Sequence, residues 1–305
     1  MSQAWRTDKA VSAPAQPTHH DLRWRGHDGL ELYAQSWEPD GAPGAVRGVV
    51  CLVHGVGEHS GRYAHVADYL TRRGFAVLTY DQRGHGRSPG PRGHTPSYEA
   101  LLADIDVLLA QAAQRWPGRP LFLYGHSMGG GLVLNYVLRR RPDISGVIAT
   151  SPWLRLPITP PRWKEALAVA FNRLWPGLSQ RTGLALDALS RDPAVVQAAT
   201  RDPLAHDRMS SRFYVSCRAA AAWALVHAAE FPVPLLLLHG TADRVTSHEG
   251  SKAFAAQLPS HRCTLRLWEG GYHELHNEPD RADVLAAIAD WLESRVAVST
   301  APATS

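Results

Sequence analysis

Short apolar runs alternate with segments of helical hydrophobic spacing along most of this chain. The apolar runs contain few polar positions, so they are typical of strands that are buried on both faces. They occupy residues 47–55, 75–81, 121–126, 146–151, 234–240 and 263–270. A chain that alternates such strands with helices is expected to form a parallel sheet covered by helices on both sides.

Four segments between these runs place apolar residues three or four positions apart, which predicts helices with one buried face. They centre on residues 63–70, 101–108, 132–139 and 284–291. A more polar stretch near the start, 21–39, reads DLRWRGHDGLELYAQSWEP and has Asp28 and Gly29 at its centre. Aspartate followed by glycine favours a tight turn, so this stretch predicts a hairpin at one edge of the sheet.

The alternation stops between residues 152 and 231, where prolines cluster and only helical spacing is visible. About 80 residues would not easily build a separate core while connecting two strands, so the segment predicts a helical cap over the end of the sheet. The core would then comprise residues 21–151 and 232–295. Residues 1–20 and 296–305 are rich in small residues and proline, and we expect them to be flexible tails.

Composition and charge limit which kinds of binding partner the protein is expected to have. The 305 residues are 45% hydrophobic and carry a net charge of +4, but the basic residues are scattered. The one local run, Arg139 to Arg141, falls at a predicted helix end, where cations complement the helix dipole. No nucleic-acid partner is therefore expected, whereas a mildly basic surface could favour anionic lipid.

The cysteines and the N-terminal 20 residues indicate in which cellular compartment the protein is expected. Cys51, Cys217 and Cys263 form no close pair in the sequence, so neither a disulfide framework nor a zinc site is indicated. The first 20 residues lack the apolar segment of a secretory signal, and no stretch has the roughly 18 apolar residues of a membrane span. We expect a cytoplasmic protein, with peripheral contact at a membrane left open. We expect no metal and no cofactor.

Ser127 lies in the motif GHSMG, between a predicted strand and a predicted helix. A residue at such a sharp turn takes a strained backbone conformation, and the residues two positions before and after it, Gly125 and Gly129, must be small. The turn would lift the Ser127 hydroxyl clear of the sheet. The alternative is a serine that only caps the helix.

A serine hydroxyl needs a histidine base and a carboxylate that orients the histidine. In this architecture the acid and the histidine follow later strands in that order. Asp243 follows the run at 234–240, and His273 follows the run at 263–270, so Ser127, Asp243 and His273 form the predicted triad. His276 is the rival base.

Attack on an ester produces an oxyanion, which must meet hydrogen-bond donors. One predicted donor is the backbone amide of Met128, directly after the serine. The second is the amide of Val56, between two glycines in the loop after the strand at 47–55.

Two other polar groupings are not assigned to catalysis. Asp104 and Asp106 point to different helix faces, and the segment 81–88, DQRGHGRS, is interpreted as a structural turn.

Seven segments together resemble the α/β-hydrolase superfamily and, within it, the monoacylglycerol lipase and lysophospholipase group. They are HGVGEHSGRY, DQRGHGRSPGPRG, GHSMGG, SPWL, SRDPAVVQAATRDPLAH, HGTADRV and GYHELHNEP, and the resemblance spans about residues 25–293. It implies an α/β-hydrolase fold with an eight-stranded, mostly parallel sheet and an inserted helical cap. It further implies cofactor-free hydrolysis of a monoacylglycerol or a similar small lipid ester, with Glu58, Arg62 and His276 contacting the glycerol hydroxyls.

The substrate pocket is expected to hold the acyl chain in an apolar tunnel with Leu154, Leu174 and Leu178 among its walls. The apolar stripe from Trp163 to Trp175 either meets a membrane or packs inward, and inward packing is the commoner fate of such spacing. Several reactions use the same triad: those of a carboxylesterase, a lysophospholipase, a thioesterase, a polyesterase or a peptidase. A non-catalytic binding protein of this fold is the remaining alternative.

Overall fold

The computed structural model describes residues 17–40, 46–158 and 160–299. Eight strands form one sheet in the order β1-β2-β4-β3-β5-β6-β9-β10, in which β2 runs antiparallel to both its neighbours and the other pairs are parallel. The strands are β1 Thr18–Arg25, β2 Glu31–Glu38, β3 Gly48–Val53, β4 Phe75–Tyr80, β5 Leu121–His126, β6 Gly146–Thr150, β9 Leu235–Gly240 and β10 Cys263–Trp268. The predicted fold class and edge hairpin are confirmed.

Eight α-helices occur among the described residues, and the four helices predicted from periodicity are all present. The bounds are α1 Ala64–Arg72, α2 Tyr98–Arg115, α3 Met128–Arg140, α4 Arg162–Leu174, α5 Pro193–Arg201, α6 Ser211–Val226, α7 His248–Ala255 and α8 Arg281–Ser299.

The sheet is buried on both faces because successive side chains of its central strands enter different helical layers. In β3, Val49 and Cys51 pack with residues of α2, α3, α6 and α7, whereas Val50 and Leu52 pack with residues of α1 and α8. This two-sided burial explains why the strands show continuous apolar runs rather than alternation.

Both predicted tails are too long at their inner ends. Strand β1 begins at Thr18, which pairs with Glu38 of β2, so the last three residues of the predicted tail 1–20 belong to the sheet. Helix α8 continues to Ser299, and its Val296 is buried against the core, so the C-terminal tail does not begin at residue 296. Residues 1–16 and 300–305 of these tails lie outside the described residues.

The cap segment 152–231 contains α4, α5 and α6 together with a two-stranded sheet that the periodicity did not predict. Strands β7 (Ser179–Arg181) and β8 (Arg208–Ser210) pair antiparallel over three residues each, too few to produce a visible alternation. Helix α6 buries Phe213 and Cys217 in the same core as α3, whereas α4 has no buried residue.

Candidate active site

Ser127 occupies a sharp turn between β5 and α3. Its backbone has φ 55° and ψ −119°, in the left-handed region that a residue with a side chain rarely adopts. The turn is held from three sides, because the Ser127 amide donates to the Thr150 carbonyl at 2.9 Å and the Ser127 carbonyl accepts from the amides of Gly131 and Trp153. The surrounding backbone therefore fixes the conformation that places the hydroxyl beside His273 and at the cavity.

The two glycines that flank the serine are required by close backbone contacts. A Cβ on Gly125 would lie 2.3 Å from the Gly129 carbonyl oxygen, and a Cβ on Gly129 would lie 2.2 Å from the Val53 carbonyl oxygen. Both distances are far below van der Waals contact, so no larger residue fits at either position without movement of the backbone. The steric reason predicted for GHSMG is confirmed.

The three residues predicted as a triad meet at the carboxyl ends of β5, β9 and β10. His273 Nε2 lies 2.9 Å from Ser127 Oγ, and His273 Nδ1 lies 2.8 Å from Asp243 Oδ2. All three side chains are buried. His276, the rival base, makes no contact of this kind with Ser127.

The Asp243 carboxylate is held in one orientation by several donors. Its Oδ1 accepts from the amides of Val245 and Thr246, while its Oδ2 faces His273, His239 and the Thr246 hydroxyl. Burial alone would raise the pKa of this carboxyl, but the charge of His273 and the hydrogen bonds from both histidines outweigh burial and hold the pKa well below its usual range. Asp243 is therefore ionised when His273 acts.

The tautomer of His273 follows from its two neighbours. A carboxylate only accepts, so Nδ1 carries the proton toward Asp243 and Nε2 is free to accept from the Ser127 hydroxyl. Burial lowers the pKa of His273, but Asp243, by its charge and its hydrogen bond, raises the net value above 6.5. The histidine is thus poised to take a proton from serine.

Sequence reasoning missed three residues that hold this site. His239 and Thr246 contact the Asp243 carboxylate, and the Ser151 hydroxyl donates to the His273 carbonyl oxygen at 2.7 Å. Ser151 also has a positive φ of 45° directly after β6. Only the SPWL segment hinted at Ser151, because apolar periodicity carries no signal for backbone strain.

The loop after β3 approaches the serine closely. A Cβ on Gly55 would lie 3.2 Å from the Ser127 Cβ, and Val56 lines the same cavity as Ser127. Met128 is the first residue of α3, so its amide has no carbonyl partner within the helix. The Gly55 amide donates to Glu58 Oε1 at 2.5 Å, which ties the start of this loop down.

Glu58, Arg62 and His276 do not line the cavity, contrary to their predicted role at its polar end. Arg62 instead forms a bidentate ion pair with Glu274, at 2.8 Å for both bonds, and also bonds Glu58. Glu58 also accepts from the Tyr63 hydroxyl.

His276 stacks on Tyr63, with ring centroids 4.8 Å apart, and is fully buried. Its burial, together with the neighbouring His126, His65 and Arg62, holds its pKa well below 6.5. The charges of Arg62, Glu58 and Glu274 thus satisfy one another, whereas both ring nitrogens of His276 are buried without a hydrogen-bond partner among the described residues.

A cavity of about 770 Å³ opens above Ser127 and is formed largely by the cap. Leu154, Leu174 and Leu178, predicted as its walls, are absent from the lining. Leu154 packs in the core, and Leu174 is 83% exposed to solvent. The described lining residues are Val56, Ser127, Trp153, Leu156, Pro160, Trp163, Lys164, Leu167, Ala168, Phe171, Gln180, Arg181, Thr182, Gly183, Leu184, Ala185, Ala188, Met209, Ser210, Ser211, Tyr214, Arg244, Val245 and Thr246.

Helix α4 divides its apolar residues between the cavity and the solvent. Trp163, Leu167 and Phe171 recur every four positions and line the cavity, as inward packing of the stripe predicts. Beyond them, Leu174 and Trp175 turn away and are largely exposed, as is Ile158 before the helix. Trp163 is itself 64% exposed and Leu167 48%, so the stripe lines the pocket without being buried and continues into exposed surface at Leu174 and Trp175.

The polar groupings set aside in the sequence have structural partners. Asp104 pairs with Arg83, whereas Asp106 accepts from the Tyr136 hydroxyl. Asp81 accepts from the Ser60 amide and hydroxyl, which fixes the turn at 81–88. The three cysteines are free thiols. Within the described ranges no cluster of three metal-ligating side chains occurs, and no helix is long and apolar enough to span a membrane.

The sequence matches a family model described as serine aminopeptidase, S33 (Hydrolase_4), over residues 44–280. The chain belongs to this α/β-hydrolase family. The S33 assignment confirms the superfamily that the motifs indicated, and with the geometry around Ser127 it makes the chain a serine hydrolase.

Individual relatives of this S33 protein agree with the family assignment. A monoacylglycerol lipase of Mycolicibacterium smegmatis is 34% identical, over 92% of this chain and 99% of its own. The crystal structure of a monoacylglycerol lipase from Paleococcus ferrophilus superposes with a TM-score of 0.79 at 40% identity, over 87% of this chain and all of that one. An uncharacterized abhydrolase domain-containing protein of Dictyostelium discoideum is 35% identical over 87% of this chain, which spans 28% of that longer protein.

Proposed function

We propose that this protein hydrolyses monoacylglycerols to glycerol and a free fatty acid through an acyl-enzyme on Ser127. The observation that carries the proposal is the Ser127–His273–Asp243 chain, with contacts of 2.9 and 2.8 Å, at the base of a cavity whose walls are mostly apolar. The similarity to two monoacylglycerol lipases supports the choice of substrate.

The chemistry begins with attack of Ser127 Oγ on the ester carbonyl while His273 Nε2 takes the hydroxyl proton. Asp243 stabilises the imidazolium that results. His273 then gives the proton to the departing alcohol, which leaves the acyl group on Ser127. Water, deprotonated by the same histidine, attacks the acyl-enzyme, and the acid is released as the serine regains its proton.

We assign the stabilisation of the oxyanion to hydrogen bonds from the backbone amides of Val56 and Met128. Both donors belong to segments that other contacts fix, the Gly55 amide being bound by Glu58 and the α3 start following a strained serine. Donors that need no rearrangement during the reaction stabilise the developing charge most effectively.

The first test is hydrolysis of 1-monoacylglycerols from C8 to C18, beside diacylglycerols and triacylglycerols of the same chains. We expect turnover of the monoacylglycerols, little of the bulkier lipids, and none with Ser127→Ala. Activity on short p-nitrophenyl esters alone would make the protein a carboxylesterase and overturn the lipid assignment. Full activity of Ser127→Ala would overturn the mechanism itself.

A second candidate substrate is an anionic ester such as a lysophospholipid. Lys164, Arg181 and Arg244 line the cavity, and the described lining contains no aspartate or glutamate. The cap segment 152–231 also carries ten basic and six acidic residues, a net +4 that equals the charge of the whole chain. Such a field attracts phosphate-bearing amphiphiles.

Matched 1-acylglycerol and 1-acylglycerol-3-phosphate of one chain length separate the two candidates. Lys164→Gln should lower kcat/KM for the phosphate ester alone if the anionic ester is the substrate, and Arg173→Gln, on the same helix outside the cavity, is the control. No turnover of the phosphate ester by the wild type would exclude the second candidate.

We further propose that the exposed end of α4 contacts a lipid surface. Leu174 is 83% exposed and Trp175 66%, and large apolar side chains at such exposure favour interfaces. In a flotation assay, a larger fraction of the wild type than of Trp175→Asp should float with the liposomes. Val226→Asp, at an equally bare position on α6, is the control. Equal binding of the wild type and Trp175→Asp would refute the contact.

A further inference from the structure

A second histidine shares the triad carboxylate. His239 lies one residue before the end of β9, with its side chain fully buried. Its Nε2 is 3.1 Å from Asp243 Oδ2, the same oxygen that faces His273 Nδ1. The mechanism proposed above gives His239 no role.

Both ring nitrogens of His239 have a partner. Asp243 Oδ2 can only accept, so His239 Nε2 carries a proton toward it. On the other side of the ring, the Ser251 hydroxyl lies 2.7 Å from Nδ1 and is itself buried in α7. Five groups thus form one series of hydrogen bonds that meets at the Asp243 carboxylate, with Ser251 and His239 on one side and His273 and Ser127 on the other.

Apolar packing does not explain a histidine at this position. The four preceding residues of β9, Leu235 to Leu238, are all buried leucines, and a polar ring in the same strand is costly to bury unless both nitrogens are paired. Both are paired here, one of them to the catalytic acid. The residue type is therefore matched to the carboxylate rather than to the core.

We propose that His239 is a positioning residue, which acts through Asp243 by holding its Oδ2 on the line to His273 and is itself oriented by Ser251. The inference rests on the proposed triad. Without His239, one donor to Oδ2 is lost and the carboxylate is held less firmly about its Cβ–Cγ bond, by Val245, Thr246 and His273 alone. His273 would then spend less time in the orientation that accepts the serine proton.

The test compares four variants on a monoacylglycerol and on a soluble p-nitrophenyl ester. His239→Leu should lower kcat about 10- to 100-fold with KM nearly unchanged. A loss of this size is typical when the hydrogen-bond partner that orients a metal-binding histidine is removed, and His239 orients Asp243 in the same way. His239→Gln should recover much of the loss, because its amide nitrogen is as many bonds from Cβ as the histidine Nε2. Ser251→Ala, in a helix that tolerates alanine, should give a smaller loss of kcat.

Thr79→Val controls for lost stability. Thr79 is also fully buried and donates to the Leu52 carbonyl, but it lies in β4, four strands from β9 in the sheet. We expect a lower melting temperature and an unchanged kcat for this variant. A kcat of His239→Leu equal to the wild type, or lowered no more than in Thr79→Val, would overturn the proposal.

Two further outcomes are decisive. If His239→Leu does not fold, Ser251→Ala decides, and a wild-type kcat in that variant would refute the chain. The Ser127→Ala variant tests the proposed function separately. Its full activity would remove the triad, whereas an inactive Ser127→Ala with an unaffected His239→Leu would remove only the role of His239.

Discussion

The core and the cap of this protein hold their functional side chains in opposite ways. In the core, Asp243 is buried and accepts hydrogen bonds from Val245, Thr246, His239 and His273. In the cap, α4 contributes a wall of the cavity without one buried residue. Groups that carry charge in the reaction need fixed geometry, whereas a wall for an alkyl chain needs only apolar surface. In the proposed function, the core carries out turnover and the cap selects the substrate.

The largest expected effect in the core is the loss of the triad charge. Asp243→Asn keeps the shape of the side chain but places a neutral amide where His273 and His239 both donate, so the histidine loses its tautomer and its counter-charge. A comparable change in a serine-histidine-aspartate triad lowers kcat by about 10⁴-fold, and we expect a similar loss here.

Initial rates on a p-nitrophenyl ester measure this loss. Asp106→Asn is the matched control, because Asp106 lies on α2 and accepts from Tyr136 at the surface. A kcat for Asp243→Asn within tenfold of the wild type would contradict the assignment of the acid.

The next effect concerns stability in the buried network that was predicted to bind glycerol. Glu274→Gln leaves Arg62 buried with one fewer counter-charge, which typically costs about 3–5 kcal/mol of the free energy of unfolding. The exposed pair of Glu249 and Lys252 provides the control, since Glu249→Gln should cost less than about 1 kcal/mol. Urea denaturation at neutral pH measures both.

The ion pair of Arg62 and Glu274 also determines how the free energy of unfolding changes at acid pH. Burial would raise the pKa of Glu274, but Arg62 outweighs it and lowers the pKa from 4.5 to about 2. The ion pair therefore stabilises the fold above pH 4.5, and its contribution is lost as the pH falls from 4.5 toward 2. Unfolding free energies of the wild type should fall more steeply in this range than those of Glu274→Gln. Parallel curves would show that Arg62 does not depend on Glu274.

In the cap, substitutions are expected to change substrate preference and leave the chemistry alone. Leu167→Ala removes apolar surface from the cavity wall, and a half-exposed leucine is worth a few kcal/mol at most, so KM for long monoacylglycerols should rise about 3- to 30-fold. Val169→Ala, on the outer side of the same helix, should leave KM unchanged. Equal effects of the two would mean that the chain does not lie along α4.

The sequence predicted the core more fully than the cap, and the reasons are physical. Ser127, Asp243 and His273 each follow an apolar run, so the hydropathy pattern located their positions. The requirement for a nucleophile, a base and an acid then gave each residue its predicted role. The positions of Leu154, Leu174 and Leu178 depend on how irregular cap segments fold back, for which periodicity has no signal. The three-residue strands β7 and β8 are too short to alternate visibly. His239 was missed because it stands inside a strand, where its contact with Asp243 depends on tertiary structure.

The smallest effect is a shift in pH dependence, and it separates core from cap most sharply. The proposed mechanism needs neutral His273, whose pKa is raised above 6.5 because Asp243 outweighs its burial. The kcat/KM should therefore rise with pH through a midpoint above 6.5. Leu167→Ala should lower the plateau without moving the midpoint, since this substitution removes no charge and no hydrogen bond of the proposed triad. Thr246→Val removes a hydroxyl 2.9 Å from Asp243 Oδ2 and should move the midpoint by a fraction of a pH unit. A midpoint that moved in Leu167→Ala and not in Thr246→Val would refute the division between the two regions.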